Sequence, residues 1–337
     1  MILQGEKERS EHIHYEVDPS GKPIGIGGMG RVYKGICVNE QTREVKPVAI
    51  KFMFEDLPAH AVERARREAS IQLRSDQLVE MLGFIETTDE TGNGYKVKHY
   101  HVVSELLHGV SLSDVLDGKD TDFEGNTIPF AKEMYQLYKE QPEKFALIII
   151  KNVLSGLMSL HDNGYIHRDI DPSNIMLTSD RHVKLIDFGI AKKINLLATG
   201  GNEMNVKERL VGKIKYAAPE LVQSDIAHQN RTTDIYAVGI LLYQLVCGHL
   251  PFNGAEYEVM QMQIKKKVPL NEIENPIMRK VIKRATEKKQ SKRYQTASEF
   301  RVALEEEHKD SISTTLIFYA ILALLGLLIG VALKMFL

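Results

Sequence analysis

The stretch His167-Arg168-Asp169-Ile170-Asp171-Pro172-Ser173-Asn174 decides the fold of this chain. Asp187-Phe188-Gly189 begins thirteen residues after it, and Ala218-Pro219-Glu220 stands further along. Two more motifs precede it, a glycine-rich run that begins at Ile24 and the apolar segment Val48-Ala49-Ile50-Lys51-Phe52. The order and spacing of these five motifs carry more information than any one of them does.

The glycine-rich run reads Ile24-Gly25-Ile26-Gly27-Gly28-Met29-Gly30-Arg31-Val32-Tyr33-Lys34. Gly25, Gly27 and Gly30 have GxGxxG spacing, and glycines let backbone amides approach a polyphosphate closely. The run leads into a predicted strand, which argues against a dinucleotide-binding unit, where the third glycine opens a helix. By itself the run is also compatible with an ordinary glycine-rich turn.

Lys51 lies in an apolar strand, where a lone lysine is costly unless an anion meets it. The helical pattern over residues 59–73 offers two glutamates as partners. At about 100° per residue, Glu68 borders the stripe formed by Ala61, Ala65 and Ala69, whereas Glu63 points nearly opposite. Glu68 is therefore the expected partner, and a lysine that reaches solvent from an edge strand is the alternative.

Taken together, the five motifs resemble the protein kinase set of glycine loop, VAIK lysine, HRD catalytic loop, DFG and APE. The resemblance covers residues 14–304 and is strongest to bacterial Ser/Thr kinases. It includes Asp234, which opens a buried helix, and Arg293, which in that family pairs with Glu220. The resemblance implies an α+β bilobal fold, with a small β-rich N-lobe over 14–106 that carries one helix in a five-stranded sheet, and a mainly helical C-lobe over 107–304.

The resemblance also implies roles in the transfer of phosphate from ATP to protein hydroxyls. Lys51 is expected to hold the α and β phosphates, and Asp169 to orient the acceptor hydroxyl or to accept its proton. Asn174 and Asp187 are the expected ligands of Mg²⁺ or Mn²⁺. Adenine is expected to bind the backbone of Glu105 and Leu107, with Ser104 at the gatekeeper position behind it. The expected nucleotide-binding residues are Ile24, Gly25, Gly27, Gly28, Gly30, Val32, Ala49, Lys51, Glu68, Ser104, Glu105 and Leu107.

Two positions depart from the family pattern. Asp171 stands where Ser/Thr kinases have a lysine, and Lys213 stands where they have a threonine. Because these positions touch in the family, we hypothesise a swap, in which Lys213 supplies the cation and Asp171 holds it. The alternative is a pseudokinase scaffold that binds nucleotide without transferring phosphate. A small-molecule phosphotransferase is disfavoured, because residues 212–220 resemble a docking platform for proteins.

Regulation is expected on the activation segment. Arg168 is the arginine that in related kinases meets a phosphate on that segment. Between Gly189 and Ala218 the hydroxyl groups belong to Thr199 and Tyr216, and Tyr216 falls in the substrate-binding loop of the family. Thr199 is therefore the predicted autophosphorylation site, and an unmodified loop is the alternative.

Composition narrows the remaining possibilities. The chain has 337 residues, 43% of them hydrophobic, and a net charge of −2, which disfavours nucleic acid as a main partner. Its two cysteines, Cys37 and Cys247, are far apart in sequence, which excludes a disulfide framework and fits a reducing compartment. Residues 1–13 are expected to form an extension without the features of a secretory signal. Residues 117–143 are expected to form a surface insertion, with a short helix near Phe130 to Tyr138.

The end of the chain is apolar. Eighteen residues from Leu316 to Leu333 carry no charge, which is near the length needed to cross a bilayer. We expect a linker over 305–314 and a transmembrane helix over 315–334, which would tail-anchor the protein in a membrane with the kinase domain in the cytoplasm. Gly326 and Gly330 have GxxxG spacing, which favours a homodimer in the membrane, although glycine is common in such helices.

Overall fold

The structure is a computed structural model that describes residues 1–71, 73–90, 96–187, 192–193 and 214–305. Within these ranges the chain forms a β-rich lobe followed by a mainly helical lobe. This arrangement confirms the predicted α+β bilobal architecture. The two lobes are connected by the segment that follows Glu105.

The first lobe is built on an antiparallel sheet of seven strands rather than the expected five. The strands are β1 (Ile2–Leu3), β2 (Ile13–Val17), β3 (Gly25–Gly27), β4 (Gly30–Asn39), β5 (Val45–Met53), β6 (Met81–Glu90) and β7 (Lys96–Glu105). Their order is β1-β2-β4-β5-β7-β6, and β3 pairs with β4. The carboxamide oxygen of Asn39 accepts hydrogen bonds from the backbone N–H groups of Gln41 and Thr42, which stabilises the turn between β4 and β5.

The predicted extension over residues 1–13 adds a strand to this sheet. β1 pairs with β2, and Leu3 is fully buried in the core of the lobe. A short helix α1 (Glu6–Ser10) connects the two strands, and the Glu8 carboxylate accepts a hydrogen bond from the backbone N–H of Gly5. The sequence did not indicate β1, because a two-residue strand is too short to show the alternation of apolar and polar residues that indicates a strand.

The helix of this lobe, α2 (Ala59–Ala69), packs on the sheet through small side chains. Its buried stripe, at 1–3% exposure, is the one that the sequence predicts: Ala61, Ala65 and Ala69. The helix ends four residues before the predicted 59–73 segment does. At its end the Ser70 hydroxyl donates to the Arg67 carbonyl at 2.6 Å, a local bond that competes with continuation of a helix.

The second lobe is mainly helical. Its helices are α3 (Leu112–Leu116), α4 (Pro129–Glu140), α5 (Pro142–Asp162), α6 (Pro219–Val222), α7 (Arg231–Cys247), α8 (Glu256–Lys265) and α9 (Pro276–Ala285), and residues 297–305 are also helical. Its short strands are β8 (Gly109–Ser111), β9 (Tyr165–Ile166), β10 (Ile175–Thr178), β11 (Val183–Leu185) and β12 (Lys192–Lys193). α5 and α7 pack against each other and are both lined with buried apolar residues.

The predicted surface insertion over 117–143 contributes to this core. Its helix α4 is longer than the predicted Phe130–Tyr138, and it packs against α5. Phe130, Ala131 and Met134 are at most 7% exposed, because they form an apolar face on an otherwise polar helix. The interpretation of the insertion as a purely surface element is therefore corrected.

Among the described residues, one helix has the length and apolar composition of a membrane span, and it is α5. Most of its apolar window is buried inside the lobe, as expected for a core helix. The predicted transmembrane segment 315–334, with Gly326 and Gly330, lies outside the described residues, as does most of the linker before it.

Candidate active site

Lys51 and Asp187 meet where the two lobes face each other. Lys51 comes from β5, Asp187 lies two residues beyond β11, and Lys51 Nζ is 3.2 Å from Asp187 Oδ2. Burial of the Lys51 ammonium would lower its pKa, but the charges of Asp187, Glu68 and Asp169 outweigh that effect and raise it. Lys51 is therefore a stable cation, which is the charge needed to hold a polyphosphate.

Glu68 lies on the buried face of α2, at 5% exposure, and its charge helps to raise the pKa of Lys51. Glu63 is exposed instead and pairs with Arg67 of the same helix at 3.1 Å. The choice between the two glutamates, made from helical spacing alone, therefore agrees with where the structure places them.

The catalytic loop is tied to helix α7 by one buried carboxylate. Asp234, fully buried, accepts hydrogen bonds from the backbone N–H groups of His167 and Arg168 at 2.8 and 2.7 Å, and from His161 Nε2 at 2.8 Å. Burial alone would raise the pKa of Asp234, but these donors and the nearby histidines lower it. The ionised carboxylate thus fixes the backbone that leads into Asp169.

Asp169 and Asn174 are held together within this loop. They are 7% and 5% exposed, and the Asn174 side-chain amide donates to the Asp169 carbonyl oxygen at 2.8 Å. The backbone carbonyl of Asn174 also accepts from the N–H of Ile186, the residue before Asp187. The three residues with expected roles in base and metal chemistry are therefore connected through short backbone links.

The donor set fits a divalent cation. Because the Asn174 amide nitrogen is used in the bond to Asp169, the amide oxygen is the atom that it can offer, beside the carboxylate of Asp187. Mg²⁺ prefers oxygen ligands from one or two side chains together with phosphate oxygens. Asn174 and Asp187 would hold such an ion, which when bound would neutralise charge on the phosphates.

Two residues of the site have left-handed backbone. The φ angles are +67° at Arg168 and +59° at Asp187, and neither residue is glycine. Such conformations cost free energy for a residue with a side chain and are found where a surrounding structure imposes them. At Arg168 the imposing contact is visible, since its N–H is held by Asp234.

Asp171 has a local structural role. It lies at 8% exposure before the turn Pro172–Asn174, and its carboxylate caps that turn by accepting from the backbone N–H and the hydroxyl of Ser173. Lys213, the other half of the predicted swap, lies outside the described residues, as do Thr199 and Gly189. The swap and the phosphorylation of Thr199 therefore stay predictions.

The glycine-rich run forms a hairpin over the site. β3 pairs with β4 through Gly25 and Val32, and Gly28 lies in the turn between the strands. A Cβ at Gly27 or Gly28 would meet nothing within 4 Å, so this side of the hairpin is open to a ligand. A Cβ at Gly30 would lie 2.1 Å from the Phe52 carbonyl oxygen, so glycine is required there for the approach of β5.

The expected adenine-binding residues lie around this hairpin. Ala49 on β5 is opposite Ser104 on β7, and the N–H of Ile24 donates to the Val32 carbonyl at 2.8 Å. Leu107 follows β7 in the connection between the lobes and packs against the main core. The sequence expectation and the fold thus put these residues along one side of the cleft.

Glu105 forms an ion pair with Lys184, which was not predicted from the sequence. Lys184 Nζ on β11 is 2.6 Å from Glu105 Oε1, and the same oxygen accepts from the Glu80 backbone N–H at 2.8 Å. Lys184 is 8% exposed, and it lies three residues before Asp187. The sequence could have indicated this pair, because Lys184 stands between the apolar residues Val183 and Leu185. Lys51 was identified from the same kind of pattern.

Glu220 and Arg293 form a buried bidentate ion pair. Arg293 NH1 and NH2 lie 2.7 and 3.0 Å from the two Glu220 oxygens, and Arg293 is fully buried. Burial would raise the pKa of Glu220, but Arg293 lowers it. The pair fixes the start of α6 against the end of the lobe, as the resemblance implies.

Residues 19–301 match the protein kinase domain family. The chain belongs to that family. Its kinase domain is similar to serine/threonine-protein kinase pkn2 of Myxococcus xanthus, with 30% identity over 85% of this chain and 32% of that protein. It is also similar to serine/threonine-protein kinase PknB of Mycobacterium tuberculosis, with 29% identity over 86% of this chain and 42% of that protein.

A probable serine/threonine-protein kinase of Clostridium perfringens, CPE1738, is 29% identical over 85% of this chain and 38% of its own length. The chain therefore matches well under half of each of these curated relatives. The shared part is the kinase domain, and the resemblance to bacterial Ser/Thr kinases that the motifs indicated is confirmed.

The insertion contacts the kinase domain beside the connection between the lobes. The His108 ring, directly after Leu107, bonds the buried Asp122 carboxylate at 3.2 Å and stacks on Phe123. Glu124 pairs with Lys34 on β4 of the first lobe at 2.5 Å. Residues 120–127 thus touch both lobes.

Proposed function

We propose that the domain transfers the γ-phosphate of ATP to Ser and Thr hydroxyls of proteins. The observation that carries this proposal is the convergence of Lys51, Asp187, Asp169 and Asn174 on one cleft, with the catalytic loop held by Asp234. Phosphoryl transfer requires positioning and charge neutralisation, and these side chains supply both.

The roles follow from chemistry and position. Lys51 binds the phosphates, and Glu68 stabilises its ammonium. Asp169 orients the acceptor hydroxyl and takes its proton as the oxygen attacks phosphorus. Asn174 and Asp187 would hold the divalent ion through their oxygens. The backbone of Glu105 and Leu107 would bind adenine.

The test is transfer of labelled phosphate from ATP to a mixture of casein, histone and myelin basic protein by the full chain with Mg²⁺. Phosphoamino acid analysis identifies the acceptor residue, and Asp169→Asn is the matched inactive control. We expect phosphoserine or phosphothreonine with the wild type alone. An absence of label on every protein acceptor, or equal label with the Asp169→Asn variant, would reject the proposal.

The second candidate function is a nucleotide-binding scaffold. It is favoured by Asp171, an acidic residue at the position where the family has a lysine. The hydrogen bond from the Ser173 N–H gives Asp171 a structural role, but it does not replace the positive charge of the family lysine. In the proposed active kinase, Lys213 supplies that positive charge. Lys213→Ala should lower the transfer rate sharply, and a variant with the full wild-type rate would remove the swap from the account.

We further propose autophosphorylation at Thr199, where the phosphate would pair with Arg168. Site mapping by mass spectrometry before and after phosphatase treatment tests this, with Thr199→Ala as the control. Active enzyme that carries no phosphate on Thr199 contradicts the proposal.

We also propose that residues 315–334 tether the domain to a membrane with the kinase on the cytoplasmic side, supported by their length and lack of charge. Fractionation of the full chain and of residues 1–310 tests the tether, and recovery of both in the soluble fraction would reject it. Dimerisation through Gly326 and Gly330 is tested by isoleucine at both positions, which should weaken self-association in detergent.

A further inference from the structure

Gln263 on α8 is fully buried, which is unusual for a glutamine on a short helix near the surface of a lobe. A buried carboxamide must find partners for two N–H groups and one oxygen. Its Nε2 donates to the Ile214 carbonyl at 3.2 Å and to the Lys215 carbonyl at 2.6 Å, and its Oε1 accepts from the Tyr236 hydroxyl at 2.6 Å. Both donors and the acceptor are therefore used.

The Tyr236 hydroxyl extends this network to the end of the domain. It accepts from Lys288 Nζ at 2.6 Å, and Lys288 Nζ also donates to the backbone carbonyl of Gln263 at 2.7 Å. The three side chains close a ring, so Gln263 cannot turn away without leaving a buried polar group unpaired. Its hold on residues 214 and 215 is consequently rigid.

The network and the catalytic loop share one turn of α7. Tyr236 lies two residues after Asp234, which binds the N–H groups of His167 and Arg168. The next residue of the held segment, Tyr216, is bound to α7 as well, through Gln244 at 2.6 Å. α7 thus sets the position of residues 214–216 and of the catalytic loop together.

Residues 214–217 lie close to the catalytic loop. Tyr216 and Ala217 line a small cavity together with Asp169 and Asp171. Burial, with the nearby charge of Asp171, raises the pKa of the Tyr216 phenol, so this side chain stays neutral next to the loop. This cavity places Tyr216 and Ala217 beside Asp169, the residue that an acceptor hydroxyl would have to reach.

We propose that Gln263 is a positioning residue for the protein substrate, because its carboxamide fixes the backbone of residues 214–217 beside Asp169. It acts on the acceptor side of the reaction and leaves the nucleotide side untouched. The inference rests on the protein kinase activity proposed above.

The test compares the same substitution at two glutamines of α8. Gln263→Met removes the buried carboxamide and keeps the side-chain length, and Gln261→Met, about 200° around the helix at a half-exposed position, is the matched control. Initial rates of the full chain are measured while the acceptor protein is varied at saturating ATP, and while ATP is varied at saturating acceptor. The acceptor is whichever of casein, histone and myelin basic protein the wild type phosphorylates fastest.

We expect the KM for the acceptor to rise roughly fivefold or more in Gln263→Met, the loss that corresponds to about one hydrogen bond, with the KM for ATP unchanged. Gln263→His, whose ring N–H replaces one donor, should recover part of the loss. Gln261→Met should match the wild type in both constants.

The proposal is overturned if Gln263→Met matches Gln261→Met in acceptor KM, or if both KM values and kcat change together with a lower melting temperature. If Gln263→Met does not fold, Tyr236→Phe removes the hydroxyl that donates to Gln263 while keeping the ring, and an unchanged acceptor KM there overturns the proposal. Failure of the underlying kinase activity is distinguishable, because it would appear in the wild type as absence of transfer to every acceptor.

Discussion

The catalytic loop and the Lys51–Asp187 pair both border the cleft between the lobes, but they are held in different ways. Three donors converge on the fully buried Asp234 beneath the loop. Lys51 Nζ lies 3.2 Å from Asp187 Oδ2, and the Asp187 side chain is 36% exposed. Partly exposed pairs contribute little to stability, whereas breaking a buried one is expensive.

The difference separates two tasks. The second lobe fixes Asp169 and its neighbours through buried hydrogen bonds that do not depend on a ligand. The pair between the lobes is open to phosphates and to a divalent ion, so its contacts can be exchanged when a nucleotide binds. Substitutions on the two sides should therefore separate loss of rate from loss of stability.

The largest effect is expected at Asp169, which is held by the loop but acts on the substrate. Asp169→Asn should lower kcat by about 10² to 10⁴, the usual range for removal of a general base. The melting temperature should change little, because the carboxamide has the same size. Steady-state rates measured beside the exposed control Asp162→Asn decide the matter, and retention of wild-type kcat would exclude Asp169 as the base.

The next effect is one of stability. Asp234→Asn replaces an acceptor of three hydrogen bonds by a group with one oxygen, and it should lower the free energy of unfolding by about 3 to 5 kcal/mol. Urea unfolding followed by circular dichroism measures this. A loss as small as that of a surface substitution would show that the loop is fixed by other contacts.

The same carboxylate gives a pH dependence with a defined sign. The pKa of Asp234 is lower in the folded chain than its ordinary value of 3.8, so its stabilising effect is present above that value and is lost as pH falls through the folded pKa. The stability difference between wild type and Asp234→Asn should therefore shrink at acid pH. A difference that grows on acidification contradicts this assignment.

A smaller effect on stability is expected across the cleft. Lys51→Met should reduce turnover about 10²-fold by removing a cation that stabilises the transferred phosphate, while the free energy of unfolding should fall by less than it does in Asp234→Asn. Parallel rate and unfolding measurements compare it with Asp234→Asn. If Lys51→Met destabilised the fold as strongly as Asp234→Asn does, the contrast between the two sides would be wrong.

The buried network in the second lobe can be tested through the pH dependence of stability that Lys288 causes. Burial and the like charge of Arg293 lower the pKa of Lys288 to about 7, so the folded chain binds fewer protons than the unfolded chain above that pH. The stability of wild type relative to Lys288→Met should rise by roughly 1 kcal/mol per pH unit between about pH 7 and pH 10. A flat difference would show that the ammonium keeps its ordinary pKa.

Motif spacing was sufficient to predict the bilobal fold and the residues that face the cleft. Lys51 and Glu68 could be paired from the sequence because each is a charged residue beside an apolar pattern, where a charge needs a partner. The role of Asp187 came from the family resemblance. The pairing of Arg293 with Glu220 followed from the family resemblance. For these residues, a local sequence pattern or a family motif was sufficient to predict the partner.

Other features depend on contacts that no local pattern displays. Gln263 looks like an ordinary polar position of a short helix, and its burial depends on residues 214 and 215, some fifty positions earlier. β1 is too short for an alternating pattern, and α4 showed only a weak apolar face. Long-range packing decides such positions, so a single sequence could not assign them.

The central claim is that this domain transfers phosphate, and intact mass spectrometry of the full chain incubated with ATP and Mg²⁺ tests it most directly. The account predicts a mass gain of one or more phosphates for the wild type, mapped to Ser or Thr with Thr199 among the sites, and none for Asp187→Ala. Measurable ATP binding by the wild type without any phosphate on itself or on protein acceptors would contradict the account and leave the scaffold interpretation.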